Sequence, residues 1–197
     1  MVLYPDVQVK ARKEIHKVMG YSRLPNFSDY SSLPYIHAIV KESLRWNPVV
    51  PLAVPHRSTS DDVYNGFFLP EGTLVVGNTW AILHDESVYP EPMTFNPDRF
   101  MKDGELNSEV RDPATAAFGY GRRICPGRFM AYESMWIAIA ATLAVYTIEK
   151  AEGPDGTPIT PNGDYEQGFL CYPKPFPCKI YSHHIDQEAL IRATARI

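Results

Sequence analysis

Proline sets the outer limits of what this chain can fold into. Eighteen of its 197 residues are proline, against roughly 5% in an average sequence. Each fixes its own φ, withholds a backbone N–H and biases the preceding residue away from the helical region. Much of the chain must therefore be irregular. Three stretches still read as helices. Residues 5–19 place Pro5 in a first turn and bring Val9, Ile15, Val18 and Met19 near one face, with Gly20 as the stop. A second helix runs from Ser32, read as its N-cap, to about Trp46. Ile36, Ile39, Val40 and Leu44 line one side of it, and Asn47-Pro48 ends it. A third opens after Pro126 and continues to about Tyr146.

The remainder is short pieces. Val63–Leu69 and Thr73–Val76 are predicted as two strands joined across Pro70-Glu71-Gly72. A short helix covers Thr79–His84, and residues 85–117 are mostly loop. The tail YEQGFLCYPKPFPCKIYSHH reads as a hairpin with its tip near Gly168. No internal repeat or low-complexity segment is present. The expected fold class is mainly α with small β-sheets, an α+β arrangement.

Composition narrows the function classes. Hydrophobic residues make up 45% and charged residues 21% of the chain, enough for a core and unlike a disordered segment. A net charge of −4 without a basic stripe argues against nucleic acid as a partner. The N-terminus lacks a signal-peptide apolar region. The longest uncharged stretch, Ser134–Ile148, falls short of the ~20 residues that span a bilayer, so it reads as a core helix. Three cysteines do not make a disulfide framework. A Cys171–Cys178 pair would leave one over. Zinc needs about four N or S ligands, and no CxxC or HxxxH spacing supplies them. His16, His37, His84, His183 and His184 are read as structural or surface residues.

The sharpest local signal is FGYGRRICPG, residues 118–127. Gly119, Gly121 and Gly127 strip side chains from the backbone, so something flat or bulky can approach closely. Cys125 stands at or just before the N-terminus of the third helix. Free N–H groups and the positive end of the helix dipole favour an anionic sulfur there, and Arg122 and Arg123 add positive charge. A thiolate in a glycine-rich pocket beside cations suits a metal cofactor with acidic side arms, a description that heme meets. Glu42 and Arg45, in KESLR, share a helix face. Alone they would be an ordinary surface ion pair worth at most about 1 kcal/mol. Arg99, in NPDRF between Phe95 and Phe100, has five donors able to serve carboxylate and carbonyls together, and could join both in one buried network.

With these motifs in place, the chain resembles the cytochrome P-450 family. FGYGRRICPG fits the family's heme loop FxxGxRxCxG, with Phe118, Gly121, Arg123, Cys125 and Gly127 at every fixed position. KESLR is similar to its ExxR motif on the K helix. NPDRF is similar to its PERF-type element, with Asp98 where Glu is commoner. The order and spacing also match. VPHRSTSDD, GNTWAILHD and YPKPFPCKI look most like a fungal microsomal-type member.

The resemblance implies heme as cofactor, with Cys125 as the axial thiolate that pushes electron density to iron. It implies that Arg123 binds one propionate, that His56 contacts the other, and that Phe118 packs beside the sulfur. Glu42, Arg45 and Arg99 would form the network that holds the loop. Substrate-facing residues would be Val50 and Leu52 after the K helix and Phe169 at the hairpin tip; their apolar character suits a small lipophilic substrate. The implied activity is monooxygenation with O2, electrons coming from NADPH through a reductase docking near Arg122. The implied location of a full-length protein is the endoplasmic reticulum membrane.

The resemblance runs from the family's J helix to its C-terminus. Residues 1–197 are therefore expected to be the C-terminal portion of one larger domain. The I helix, with its acid-threonine pair, has no counterpart in this sequence. An isolated chain of this extent is expected to expose a large apolar patch and to be poorly stable. The alternative function is a non-catalytic remnant that holds heme weakly or not at all.

Overall fold

The computed structural model describes residues 1–166, 168–182 and 191–192. His183 and His184 lie outside the described residues. Three helices form the centre: α1 (Pro5–Met19), α2 (Pro34–Trp46) and, later in the chain, α5 (Arg128–Val145). Between them come the short helices α3 (Thr79–Leu83) and α4 (Ala114–Ala117). The strands are β1 (His56–Arg57), β2 (Asp62–Tyr64), β3 (Phe67–Leu69), β4 (Leu74–Val75), β5 (Met101–Lys102), β6 (Glu105–Leu106), β7 (Tyr146–Glu152), β8 (Pro158–Ile159), β9 (Tyr165–Glu166), β10 (Tyr172–Pro173) and β11 (Cys178–Ser182). All pair antiparallel. The largest sheet among the described residues is three-stranded, in the order β11-β7-β8. The class is α+β, as the sequence implies.

α2 is the axis of the core. Ile36, Ala38, Ile39, Val40, Glu42 and Arg45 have no exposed surface. Helices α1 and α5 pack against it, with Ile15, Trp136 and Ala140 fully buried between them. Polar side chains close the helix ends. The Glu14 carboxylate of α1 accepts the backbone N–H groups of Tyr35 (2.9 Å) and Ile36, two of the orphan donors at the N-terminus of α2. Arg12 donates to the carbonyls of Leu143 and Tyr146 (3.1 Å) at the end of α5, a cation at the negative end of a helix. Gln8 bonds both ways with the Ile148 backbone (2.8 and 3.0 Å) and so fastens α1 to the edge of β7.

Several expectations need correction. α2 starts at Pro34, not after Ser32, because Ser32 closes a 3-10 helix, Phe27–Ser32, capped by Asn26 and Asp29. Glu14 from α1 does the capping that Ser32 was expected to do. On α1 the buried stripe is Val7, Gln8, Ala11, Ile15 and Met19, while Val9 and Val18 are exposed. Gln8 faces the β7 backbone that it hydrogen-bonds, and Ala11 packs in the core cluster. Val63–Leu69 is not one strand but a whole hairpin, β2–β3, turned by Asn65 (φ 48) and Gly66 (φ 83). Both central residues are left-handed, the signature of the Asn-Gly two-residue turn. β4 then pairs with β1, His56 opposite Val75, rather than with the strand before it.

Residues 85–117 contain a 3-10 turn, Pro97–Phe100, the β5–β6 hairpin and α4. In the tail the hairpin is only β9–β10; Cys178–Ser182 leaves it to pair with β7. All three cysteines are free. Large apolar side chains are exposed on the β2–β3 hairpin (Phe67, Phe68), on residues 49–54 and at the start of α5 (Phe129, Met130). Among the described residues no helix is long and apolar enough to cross a membrane.

Candidate functional site

A mostly apolar cavity of about 920 Å³ opens between α2, the β1–β4 pair and the segment 117–125. That volume is in the range of small-molecule and cofactor sites. Its floor is the glycine-rich loop. The Cys125 N–H donates to the Phe118 carbonyl (2.8 Å) and closes residues 118–125 into a ring. Inside the ring Gly119 (φ 84) and Gly121 (φ 59) are left-handed, and a Cβ on either would meet no protein atom within 4 Å. The loop thus turns a bare backbone to open space, which only glycine does without strain. The chain then enters α5 after Gly127, whose Cβ position lies 3.8 Å from Cys125 Sγ. The Cys125 carbonyl accepts from the Arg128 side chain (3.2 Å), so the sulfur and the first turn of α5 are held together.

Of the residues singled out by sequence, the cavity brings together Phe118, Gly121, Arg123, Cys125, His56 and Val50. Leu52 and Phe169 are exposed and are not among its lining residues. Arg122 and Arg123 are exposed at the rim with no ion-pair partner among the described residues. His56 sits on the opposite wall, on β1. The site therefore has an apolar interior, one cysteine and cations at its edge.

Further residues build the cavity walls. Tyr120 lies against Gly77 so closely that a Cβ there would come within 2.5 Å of its ring. Its hydroxyl is 2.9 Å from Thr79 Oγ1, fixing the ring as a wall. Met135 of α5, Ser43 and Leu44 of α2 and Asn47, the residue that caps its C-terminus, add to the lining. Tyr120 stands inside the loop motif and could have been named from it; nothing in the sequence singles out Gly77.

The opposite face of α2 carries the charged network. Glu42 and Arg45 have no exposed side-chain surface, and Arg99 keeps 8%. Arg45 forms a fork to the carboxylate, Nε to Oε2 at 2.7 Å and Nη2 to Oε1 at 2.8 Å. Arg99 Nε reaches both oxygens at 3.1 and 3.2 Å, and the Asn96 N–H donates at 2.7 Å. The leftover guanidinium donors go to backbone: Arg45 to Leu83 and Pro92, Arg99 to Pro90 and Thr94. One carboxylate and two arginines thus bind a proline-rich segment that has no ladder of its own to α2. Since Ser43 and Leu44 line the cavity while Glu42 and Arg45 face segment 90–99, the network fixes the rotation of α2 and with it one cavity wall.

Comparison with protein families matches Cytochrome P450 over residues 1–180. The chain is similar to Cytochrome P450 monooxygenase 98 of Postia placenta, 49% identical over 95% of this chain and 37% of that protein. It is also similar to Cytochrome P450 monooxygenase claR of Ampulloclitocybe clavipes, 47% identical over 98% of this chain and 36% of that protein. A third relative is Tryptamine 4-monooxygenase of Psilocybe cyanescens, 44% identical over 91% of this chain and 36% of that protein. The chain spans little more than a third of the length of these curated relatives. A glycine loop presenting one cysteine, a buried Glu-Arg-Arg network and a match over nine-tenths of the sequence agree on one conclusion: the chain belongs to the cytochrome P450 family.

Proposed function

We propose that this chain is the heme-holding C-terminal portion of a monooxygenase domain, and that the cavity over Cys125 is its heme site. The observation that carries the reading is the pair of left-handed glycines beside a cysteine that lines the cavity. Side chains there would fill the space a flat ring needs, and both positions have none. The donor set fits as well: one thiolate for iron, apolar walls for the ring, and the Arg123 guanidinium and the His56 imidazole as hydrogen-bond donors to its carboxylates. Heme held there, with Cys125 as its thiolate ligand, would supply activation of O2.

The chain's own residues act around that chemistry. Arg123 binds a propionate by charge-assisted hydrogen bonds. Phe118 and the Cys125–Phe118 backbone bond hold the sulfur in place and limit water around it, which tunes its donor strength. Gly127 keeps the space beside Sγ free. Glu42, Arg45 and Arg99 position the wall and touch no substrate. Val50 faces the cavity interior, and Leu52 and Phe169 meet a lipophilic substrate in the complete protein. That protein works with O2 and an NADPH-dependent reductase, at the endoplasmic reticulum membrane. A second reading, in which the chain holds heme weakly or not at all, is favoured by the large apolar side chains left exposed on residues 49–54 and at the start of α5.

Titrating the purified chain with heme separates the two. The first reading predicts saturable one-to-one binding with a thiolate-type ferric spectrum, weakened by Arg123→Ala and changed in type by Cys125→Ser. Binding unaffected by either substitution would refute it.

A further inference from the structure

The loop that carries Cys125 is bare where it borders the cavity, and a bare backbone is hard to hold still. Gly119 and Gly121 are both left-handed, and glycine loses more backbone freedom on being fixed than any other residue. Tyr120 stands between them and is the one residue of 119–121 with a side chain. Its ring leaves the loop and enters a notch at Gly77, just after β4, where a Cβ would come within 2.5 Å of Tyr120 Cε2. Its hydroxyl lies 2.9 Å from Oγ1 of Thr79, the buried first residue of α3. The start of α3 is itself fixed from two other directions. Asn78 Oδ1 accepts from the Ala81 N–H (3.0 Å), and the Trp80 N–H donates to the Pro51 carbonyl (2.8 Å). The Cys125–Phe118 backbone bond closes the loop into a ring that contains Tyr120, so a shift of Tyr120 shifts the frame around Cys125. α3 therefore stands between two cavity walls, the cysteine loop on one side and segment 50–54 on the other.

We propose that Tyr120 is a positioning residue: it pegs the glycine-flanked loop to the start of α3 and so sets Cys125 in place before any ligand enters the cavity. Three features act together. The notch at Gly77 admits the ring, the Thr79 hydroxyl fixes its direction, and the glycines on both sides leave no other side chain to do either job. Through Trp80 and Pro51 the same anchor sets the distance between the cysteine loop and the wall that carries Val50. Tyr120 acts through the loop and takes no part in bond making. Its spectral consequences rest on the heme reading of the cavity; the preset loop does not.

Amide hydrogen exchange of the heme-free chain tests the peg. In the unsubstituted chain the Cys125 N–H should be protected, a readout that needs no variant to fold. Tyr120→Phe should speed its exchange about fivefold, the usual worth of one hydrogen bond, and Gly77→Ala, which evicts the ring, should speed it further. The Ile39 amide in the buried core of α2 should not change, which separates a loosened loop from a destabilised fold. Thr79→Val should match Tyr120→Phe, and the two together should do no more than either alone, because both remove the same bond. In the heme-loaded chain, Tyr120→Phe and Gly77→Ala should split the reduced carbon-monoxide band, an unshifted component growing beside the red-shifted one in the order of the exchange rates. An unprotected Cys125 amide in the unsubstituted chain overturns the peg. So do unchanged exchange and a single shifted band in Gly77→Ala, or additive effects in the double variant. The expected exchange pattern without a thiolate-type band in any form overturns the heme reading and leaves the peg standing.

Discussion

Glu42→Gln tests the internal network most sharply. The carboxylate is the only anion facing Arg45 and Arg99 in the network, and all three side chains are at least nine-tenths buried. Substitution keeps the volume but removes the charge, and it presents one of the guanidiniums with an NH2 donor instead of an acceptor. Two arginines are then left in the interior, with the backbone carbonyls of segment 83–94 as their remaining partners. Breaking a buried pair from one side costs about 3–5 kcal/mol, a large part of the 5–15 kcal/mol that holds a typical domain together. With a urea m-value near 2 kcal/mol/M, the midpoint should fall by about 2 M. The assay is urea unfolding of the heme-supplemented chain followed by far-ultraviolet circular dichroism. Adding Arg45→Met should recover part of the loss, because only Arg99 then lacks a counter-charge, and it keeps its carbonyl acceptors and some solvent. A midpoint shift below about 0.5 M would mean that the trio behaves like exposed ion pairs worth at most about 1 kcal/mol. It would refute the claim that the network fixes the α2 wall.

Other outcomes follow from single residues. Gly121→Val puts a β-branched side chain at φ 59 and into open cavity space; heme affinity should fall at least about tenfold in a spectral titration. His37 and His84 both have proton affinities lowered mainly by burial. The unfolded chain therefore takes up protons first, so their contribution to stability is present above pH 6.5 and is lost as pH falls below it. Thermal melts between pH 7 and 5 should show this loss, and His37→Gln should reduce it. Glu14 shifts the other way: burial outweighs its two backbone donors and raises its carboxyl above 4.5. Its folded form holds the proton longer than the unfolded chain does, so stability falls as pH climbs from 4.5 towards the raised value. Glu14→Gln still accepts from Tyr35 and should flatten that slope in the same melts.

The parts of the site legible in the sequence are those where chemistry needs a residue type at a fixed spacing. Glu42, Arg45 and Arg99 meet in one buried network, and Phe118, Gly121, Arg123 and Cys125 line one cavity on the other side of α2. Glu42 and Arg45 by themselves read as a surface pair. Only the third partner, Arg99, 54 residues further along, hints at their burial. Local rules failed where a distant group took over a local job. Ser32 is a good cap by type, yet Glu14 of another helix caps α2, and Pro34 moves its start. Val9 and Val18 match a helical stripe, but β7 meets α1 on the side of Gln8, which hydrogen-bonds to it. The Asn65-Gly66 turn has a sequence signal of its own, but Pro70-Glu71-Gly72, four residues on, is a stronger one and masks it. The Tyr120–Gly77 contact has no sequence signal, since it depends on two loops meeting across the cavity.

The central claim, that Cys125 presents a thiolate to heme iron in this cavity, is tested most directly by the reduced carbon-monoxide difference spectrum of the heme-loaded chain. Thiolate ligation predicts a strongly red-shifted Soret band, lost in Cys125→Ser and retained in Cys171→Ser and Cys178→Ser. A spectrum of free or histidine-ligated heme, or a shifted band that persists in Cys125→Ser, would contradict it.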